Sequence, residues 1–342
     1  MIFMNKKEHT AKNEDELGIK AKKSLGQNFL NSDGALDSII KAGRVTKNDT
    51  VLEIGPGKGA LTKRLLDTGA KVIAIEKDDR LIPILQELFA KEIQTKKLTL
   101  IHDDILEFDV STYGLKTNNY KLIANIPYYI TGEITRKFLS GNFQPSLIVV
   151  LVQKEVAERI TTAIQGSSKV KEGKESILSI SVKVYGEPKY IQTVKAGCFF
   201  PPPKVDSAIL LIDNISKKNF ELKTKHSVIP AEAGIQSEKK DLSHEYFSTE
   251  KSLDPDSHRR APSLKLGPTP ISTRIRGNDS GGEVEQKFFE IVKAGFAHKR
   301  KTLSSNLKQI IPKEKLTELG IKENERAENL SLEQWLDITN SI

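Results

Sequence analysis

The sequence predicts an α/β protein with a doubly wound, mostly parallel sheet and a small C-terminal all-α domain. Short apolar runs alternate with helical segments over roughly the first two thirds of the chain. These runs are apolar almost throughout, which is typical of parallel strands covered on both faces. A glycine-rich loop directly after the first run is the third indication, because such loops join strand to helix in this class of fold.

Five strands are expected in the first part of the chain, each bounded by polar or turn-forming residues. They lie at residues 50–54, 71–76, 98–102, 121–125 and 146–152. Apolar residues at helical spacing follow the first strand at residues 60–66 and the second at residues 81–89. This alternation of strand and helix predicts parallel pairing through crossover connections.

The chain divides into four parts by composition. Residues 1–20 are polar and predict a mobile leader, and residues 21–224 hold the α/β pattern. Residues 225–282 carry 9 serines and 5 of the 14 prolines without sustained apolar periodicity, so we interpret them as an inserted flexible polar segment. Helical spacing at 288–310 and 331–342 predicts a small helical domain over residues 283–342.

Composition excludes several classes of protein. The 342 residues carry 53 Lys and Arg against 45 Asp and Glu, and the net charge of +8 favours an anionic partner. No apolar run reaches the ~18 residues of a membrane helix, and the N-terminus lacks the apolar core of a signal peptide. A single cysteine, Cys198, excludes an intrachain disulfide framework, and no Cys/His cluster predicts a metal site. We therefore expect a cytoplasmic protein that contacts neither membrane nor metal.

The glycine loop is the first candidate binding site. Gly55, Gly57 and Ala60 match the pattern G-x-G-x-x-G/A, in which glycine lets a ligand approach the backbone closely. It is not a phosphate-binding P-loop, because Lys58 is followed by Gly59 instead of Ser or Thr. Taken alone, the loop fits a nicotinamide dinucleotide as well as other nucleotides.

Acidic residues at the ends of the first three strands narrow this choice. Glu76 is placed to accept hydrogen bonds from a ribose diol, a role shared by nicotinamide and S-adenosyl nucleotides. A carboxylate at Glu53 conflicts with a pyrophosphate but suits a cationic cofactor such as S-adenosylmethionine. Asp104 is placed to accept a hydrogen bond from an adenine amino group. Together these acids predict a cofactor crevice at the carboxyl ends of the strands.

The segment Asn125, Ile126, Pro127 and Tyr128 follows the fourth strand and is the candidate reaction motif. An exocyclic amine such as adenine N6 is a poor nucleophile, because its lone pair is delocalised into the ring. It needs acceptors that hold its N–H bonds and turn the lone pair toward an electrophile. The Asn125 side-chain oxygen and the Ile126 carbonyl can be those acceptors, with Pro127 fixing the backbone and Tyr128 offering a stacking face.

At this point the sequence resembles the ribosomal RNA adenine dimethyltransferase family, and its bacterial small-subunit branch in particular. Five blocks, spread over residues 20–220 and 284–340, carry the resemblance. They are KSLGQNFL at 23–30, EIGPGKGALT at 53–62, NIPY at 125–128, FFPPPKVDS at 199–207 and KAGFAHKRKTL at 293–303. Residues 225–282 depart from the family pattern, which puts the orientation of the helical domain in doubt.

The resemblance implies a Rossmann-like S-adenosylmethionine-dependent methyltransferase sheet with a seventh, antiparallel strand, which we place near residues 206–212. It implies transfer of two methyl groups to N6 of each of two adjacent adenosines near the 3′ end of 16S rRNA, in the immature small ribosomal subunit. We expect a monomer that uses no metal.

The resemblance also implies roles for individual residues. Asn28 and Leu30 would close over the cofactor, Gly55 would line its methionine end, and Asn125 would lie between cofactor and target. Phe199 would stack on the flipped adenine opposite Tyr128, on a loop stiffened by the prolines at 201–203. The basic run at 298–301 could meet phosphates.

Three alternatives stay open from the sequence. One is a large-subunit rRNA adenine N6-methyltransferase of the drug-resistance type. Another is an assembly factor that binds immature subunits and whose methylation is secondary. A nicotinamide-dependent dehydrogenase is a more distant third, on the strength of the glycine loop alone.

Overall fold

A seven-stranded sheet forms the centre of the computed structural model, which describes residues 19–161, 174–221 and 280–342. Two further short strands pair with each other beside it. In chain order the strands of the described residues are β1 (Phe29–Leu30), β2 (Thr50–Ile54), β3 (Lys71–Glu76), β4 (Leu98–His102), β5 (Lys121–Ala124), β6 (Leu147–Gln153), β7 (Glu187–Val194), β8 (Phe199–Phe200) and β9 (Ser207–Asp213).

The sheet has the order β4-β3-β2-β5-β6-β9-β7. Strands β2 to β6 pair in parallel, whereas β9 lies antiparallel between β6 and β7. The five predicted strands and the antiparallel strand near residues 206–212 are therefore confirmed. Because β3 and β5 lie on opposite sides of β2, the strand order reverses there, and ligands of open α/β sheets bind at such a point.

Helices cover both faces of the sheet, and four more helices follow in the C-terminal part. The first group comprises α1 (Asp33–Gly43), α2 (Ala60–Asp67), α3 (Ile82–Leu88), α4 (Ala90–Gln94), α5 (Thr131–Ser140), α6 (Lys154–Thr161) and α7 (Ile177–Lys183). The second comprises α8 (Ser280–Gly295), α9 (Leu303–Leu307), α10 (Lys313–Glu318) and α11 (Leu332–Asn340).

The helical periodicity at 288–310 belongs to two helices, because α8 ends at Gly295 and α9 begins at Leu303. The backbone at Gly295 passes close to an indole, since a Cβ there would lie 2.4 Å from the ring of Trp335. The charged stretch between the two predicted helical regions itself contains α10. Helix α8 begins at Ser280, so residues 280–282 belong to this helix and not to the predicted polar segment.

Buried side chains divide into two clusters, one on each face of the sheet. Val51 and Val149 belong to the cluster that also contains Leu36 of α1 and Leu65 of α2. Their sequence neighbours on the strands belong to the second cluster, as successive strand residues point to opposite faces. Phe288 and Trp335 of the C-terminal helices lie in this second cluster too. The C-terminal helices therefore share a continuous core with the sheet.

The division into a leader, an α/β domain, an inserted segment and a helical domain stays a prediction. Residues 1–18 and 222–279, which carry nearly all of the leader and the insertion, lie outside the described residues. Among the described residues no helix is both long and apolar enough to span a bilayer.

Candidate active site

A cavity opens at the carboxyl ends of β2, β3, β4 and β5, where the sequence predicts a crevice. Glycine-loop, strand-end and NIPY residues all contribute to its wall, together with the segment before β1. The lining residues include Gln27, Asn28, Phe29, Gly55, Gly57, Glu76, Lys77, Asp104, Asn125, Ile126, Pro127, Tyr128 and Tyr129. The fold thus collects most of the predicted site residues in one place.

The glycine loop needs glycine for its backbone conformation. Gly55, Gly57 and Gly59 have φ values of 66°, 59° and 83°, which side chains other than glycine's rarely allow. A Cβ at Gly55 would meet nothing closer than the Asn125 carbonyl oxygen at 3.9 Å. The Gly55 backbone therefore borders open space that a ligand can fill.

Glu76 ends β3 and faces the cavity with a nearly buried carboxylate. Its Oε2 accepts a hydrogen bond from the Gly57 amide (3.1 Å), and its Oε1 accepts one from the Asp78 amide (2.8 Å). Burial raises the pKa of Glu76 above its usual value, although these two amides oppose the shift. The carboxylate is fixed in place and retains lone pairs for a ligand hydroxyl.

Glu53 has a different position from the one that its sequence context indicates. It is 1% exposed, does not line the cavity, and neither carboxyl oxygen has a hydrogen-bond partner among the described residues. Burial, with the nearby Glu76, raises its pKa to about 8. Glu53 therefore lies behind the wall of the cavity, and its predicted preference for a cationic cofactor stays a prediction.

Asp104 lines the cavity beside β4 and is paired with a lysine. Its Oδ2 accepts a hydrogen bond from Lys77 Nζ at 2.5 Å, and its Oδ1 accepts one from the Leu106 amide at 3.0 Å. Partial burial favours the neutral acid, but the hydrogen bonds from Lys77 and the Leu106 amide, together with the charge of Lys77, outweigh it and lower the pKa of Asp104. Asp104 is therefore an ionised acceptor at this end of the cavity. Lys77 is a cavity residue that the sequence interpretation missed.

The NIPY segment forms one wall of the cavity. Asn125 Nδ2 donates to the Asn28 carbonyl oxygen at 3.1 Å, which fixes the amide plane. Among the described residues, no hydrogen bond occupies Asn125 Oδ1 or the Ile126 carbonyl. The Tyr128 hydroxyl shares a 2.6 Å hydrogen bond with the buried Ser207 at the start of β9. Two acceptors and an anchored aromatic ring thus lie together at one wall of the cavity.

The segment before β1 is held against the cavity by side chains that the sequence analysis did not single out. Gln27 Nε2 donates to Asp78 Oδ2 at 2.7 Å, and Gln27 Oε1 accepts from the Lys22 amide at 2.7 Å. Arg80 donates to both oxygens of Asp78, and this lowers the pKa of the buried carboxylate. The signal was present in the sequence as the residue pair Asp78 and Arg80 just after Glu76.

Leu30 and Phe199 lie behind the cavity instead of in its wall. They are cross-strand partners in the β1–β8 pair and are 6% and 3% exposed, respectively. Both belong to the hydrophobic cluster on one face of the sheet. Their predicted roles, closing over the cofactor and stacking on the adenine, stay predictions. Among the described residues no group of three or more metal-binding side chains is present.

The strand order, the antiparallel β9 and the cavity at the switch point define a Rossmann-like methyltransferase. Two solved structures have this fold. A dimethyladenosine transferase from Plasmodium falciparum superposes with a TM-score of 0.60 at 22% identity, covering 91% of this chain and 95% of that one. The 23S rRNA methyltransferase ErmE superposes with a TM-score of 0.59 at 20% identity, covering 92% and 98%.

The chain belongs to the ribosomal RNA adenine dimethylase family, whose model matches residues 18–231 and 273–342. Two curated relatives are each named ribosomal RNA small subunit methyltransferase A. The relative from Dehalococcoides mccartyi (strain CBDB1) is 35% identical over 93% of this chain and 87% of its own length. The relative from Clostridium botulinum (strain Loch Maree / Type A3) is 32% identical over 99% and 98%.

Proposed function

We propose that this enzyme transfers methyl groups from S-adenosylmethionine to N6 of two adjacent adenosines near the 3′ end of 16S rRNA, two to each base. The observation that carries the proposal is that the NIPY segment lines the same cavity as the glycine loop and Glu76. The chain belongs to the rRNA adenine dimethylase family. The curated relatives act, by their names, on small-subunit rRNA, and the identity to them extends over nearly the whole chain.

The cavity residues fit S-adenosylmethionine. Glu76 would accept hydrogen bonds from the ribose hydroxyls, Asp104 would accept one from the adenine amino group, and the open space at Gly55 would take the methionine end. Asn28 would cover the cofactor from the segment before β1. When bound, the cofactor supplies a methyl group made electrophilic by its sulfonium.

The protein's own contribution to the reaction is orientation of the target amine. Asn125 Oδ1 and the Ile126 carbonyl would accept the two N6–H bonds, which turns the nitrogen lone pair toward the methyl group. The hydrogen bond from Asn125 Nδ2 to the Asn28 carbonyl supports this role, because it restricts rotation of the amide and leaves Oδ1 for the substrate. Tyr128, anchored through Ser207, would support one face of the adenine, and we retain Phe199 as the proposed support of the other.

We place this reaction in the cytoplasm, on the rRNA of the immature small subunit, with the protein acting as a monomer in subunit maturation. The exposed basic residues at 298–301, which follow α8, would meet the RNA phosphates. A role in assembly that is independent of methylation is compatible with this placement.

The fold is shared with a 23S rRNA methyltransferase, ErmE, so the fold alone does not choose the ribosomal subunit. Mapping N6-methylated adenosines in rRNA from cells with and without the gene tests the proposal directly. We expect dimethylation at two adjacent small-subunit adenosines to disappear when the gene is absent. A change confined to the large-subunit rRNA would instead support the drug-resistance type of methyltransferase.

A further inference from the structure

Strand β8 ends with an exposed aromatic side chain beside a buried one. Phe200 is 53% exposed, whereas its neighbour Phe199 is 3% exposed. Leaving a phenylalanine in water forgoes the roughly 1.5–3 kcal/mol that its burial would contribute. An aromatic ring held in this way on a short, proline-rich loop is a candidate contact for a partner.

Strand pairing places Phe200 on the side of the glycine loop. Phe200 is the direct partner of Phe29 in the antiparallel β1–β8 pair, and side chains of such partners lie on the same face. Phe29 lines the cavity, and a Cβ at Gly57 would lie only 2.9 Å from its ring. The exposed ring of Phe200 is therefore next to a wall of the proposed cofactor cavity, on the solvent side.

The residues that follow Phe200 give this surface a positive and apolar character. Lys204 is exposed, and no ion pair of Lys204 occurs among the described residues. Val205 is 47% exposed, whereas Asp206, the acid of this loop, is neutralised by Lys195 at 2.8 Å. We call residues 200–205 the aromatic loop. Its combination of an exposed ring and a cation matches unpaired nucleotides, which offer a π face and a phosphate.

We propose that Phe200 stacks on an unpaired RNA base that flanks the target adenosine, while Lys204 contacts the neighbouring phosphate. This inference rests on the proposed function and adds a nucleotide subsite to it. The subsite is separate from the groups proposed to hold the adenine itself, because Phe200 is exposed to solvent whereas Phe199 is buried. It predicts that the enzyme reads single-stranded RNA around its target by shape and stacking instead of by base-specific hydrogen bonds.

Four variants test the subsite: Phe200→Ala, Phe200→Leu, Phe200→Trp and the control Leu88→Ala. Leu88 is 55% exposed on α3 and resembles Phe200 only in being exposed and apolar. The measurements are binding of a transcript of the 3′ end of small-subunit rRNA, methyl transfer to purified small subunits, and calorimetric affinity for S-adenosylmethionine.

We expect Phe200→Ala to weaken transcript binding roughly five- to hundredfold, as for loss of one stacked base, with unchanged cofactor affinity. Phe200→Trp should bind as the wild type does, whereas Phe200→Leu should resemble Phe200→Ala. Wild-type binding by Phe200→Ala, or by Phe200→Leu, would overturn the proposal. So would a dimeric wild type that Phe200→Ala converts to a monomer, because the loop would then be a contact between copies.

The binding measurement also separates this inference from the proposed function. If the wild type binds the transcript but transfers no methyl group, the proposed reaction is wrong while the Phe200 variants still report on stacking. If the wild type methylates the subunit and Phe200→Ala does so equally well, only the subsite is wrong.

Discussion

The role of Glu76 was predicted from its position at the end of a strand and its spacing to the glycine loop. The sequence places it near a ribose, and the structure adds two backbone amides that hold its carboxylate at the cavity. We expect Glu76→Ala to weaken S-adenosylmethionine binding by roughly 1–3 kcal/mol, the cost of hydrogen bonds lost from a charged acceptor. Titration calorimetry measures this, with the exposed Glu87→Ala on α3 as control. Unchanged affinity would remove Glu76 from the cofactor site.

Asn125 should separate binding from catalysis. Its Oδ1 is proposed to hold the target amine in the reactive orientation, so its contribution is greatest in the transition state. Asn125→Ala is expected to lower kcat at least tenfold while changing cofactor affinity much less. Single-turnover methylation and calorimetry give the two quantities. Equal losses in both would indicate that the hydrogen bond to the Asn28 carbonyl is mainly structural.

Glu53 makes stability depend on pH in a direction that can be worked out. Its pKa is raised from 4.5 to about 8 in the folded protein, so between these values the folded state binds more protons than the unfolded state. The free energy of unfolding therefore falls as pH rises through this window, by at most about 1.4 kcal/mol per pH unit from this residue.

Glu53→Gln keeps the neutral shape and removes the titration. We expect its denaturant-unfolding free energy to decline less than that of the wild type between pH 5 and 8, and to exceed it at pH 8. Glu87→Gln, an exposed acid, should follow the wild type. If the unfolding free energies of Glu53→Gln and the wild type changed in parallel with pH, the raised pKa of Glu53 would be contradicted.

The position of a site residue can be predicted from the sequence where a motif fixes the backbone. It is much harder to predict where burial determines whether a side chain reaches the cavity. Gly55, Glu76, Asp104 and Asn125 line one cavity, as expected from strand ends of a parallel sheet. The enclosure of Glu53 depends on packing between distant segments, which its neighbours in sequence do not reveal.

At the scale of elements, the segment before β1 is the part of the site that depends most on tertiary contacts. It reaches the cavity through Gln27 and Asn28, whose partners are 51 and 97 residues away along the chain. Neither partner is implied by the local pattern of residues 23–30. Local reasoning finds the motif, and only the fold shows what the motif contacts.

Gln27→Ala should release this segment without unfolding the sheet. Arg80 still pairs with Asp78 in the variant, so no buried charge is left without a partner. We expect cofactor affinity to fall by roughly 1.5–3 kcal/mol, the range for a hydrogen bond to a charged group. Hydrogen exchange over residues 22–30 should become faster.

Ser38→Ala is the matched control for Gln27→Ala, because it deletes a 2.8 Å hydrogen bond between side chains, to Gln192, outside the cavity. It should leave both measurements at wild-type values. Unchanged exchange in Gln27→Ala would show that the β1–β8 pairing alone holds the segment.

The five parallel strands were predicted from the sequence, whereas the antiparallel edge strand β7 was not. Strands β2 to β6 consist mainly of apolar residues, and their bounds differ from the expected ones by at most one residue. Strand β7 was not among the strands that the sequence analysis placed. It lies at the sheet edge, and most of its residues are at least partly exposed. It also contains a buried proline, Pro188, and an irregularity between Tyr190 and Gln192. Edge strands lack the continuous apolar pattern that marks central ones.

At the scale of the whole molecule, the C-terminal helices and the sheet form a continuous core, whereas the family model leaves a stretch of the chain between them unmatched. The family model stops at residue 231 and resumes at 273. These limits fall inside the segment 225–282 that composition alone marks as an insertion. The boundaries at 225 and 282 stay a prediction, and the first three residues of α8 fall inside the predicted segment.

Replacing residues 232–272 with a short Gly/Ser linker should therefore preserve methylation. The family's sequence pattern is complete without these residues, and loop-closure entropy changes slowly with length, so the shortened chain should close as easily. The replaced stretch holds 6 Lys and Arg against 7 Asp and Glu, so its removal leaves the positive charge available for RNA essentially unchanged. We expect cofactor affinity and methyl transfer to small subunits within about twofold of wild type, and a similar unfolding midpoint.

A linker of equal length made of Gly and Ser is the control that separates loss of these side chains from shortening. If both replacements abolish methylation while the thermal midpoint is retained, residues 232–272 contribute to recognition of the subunit.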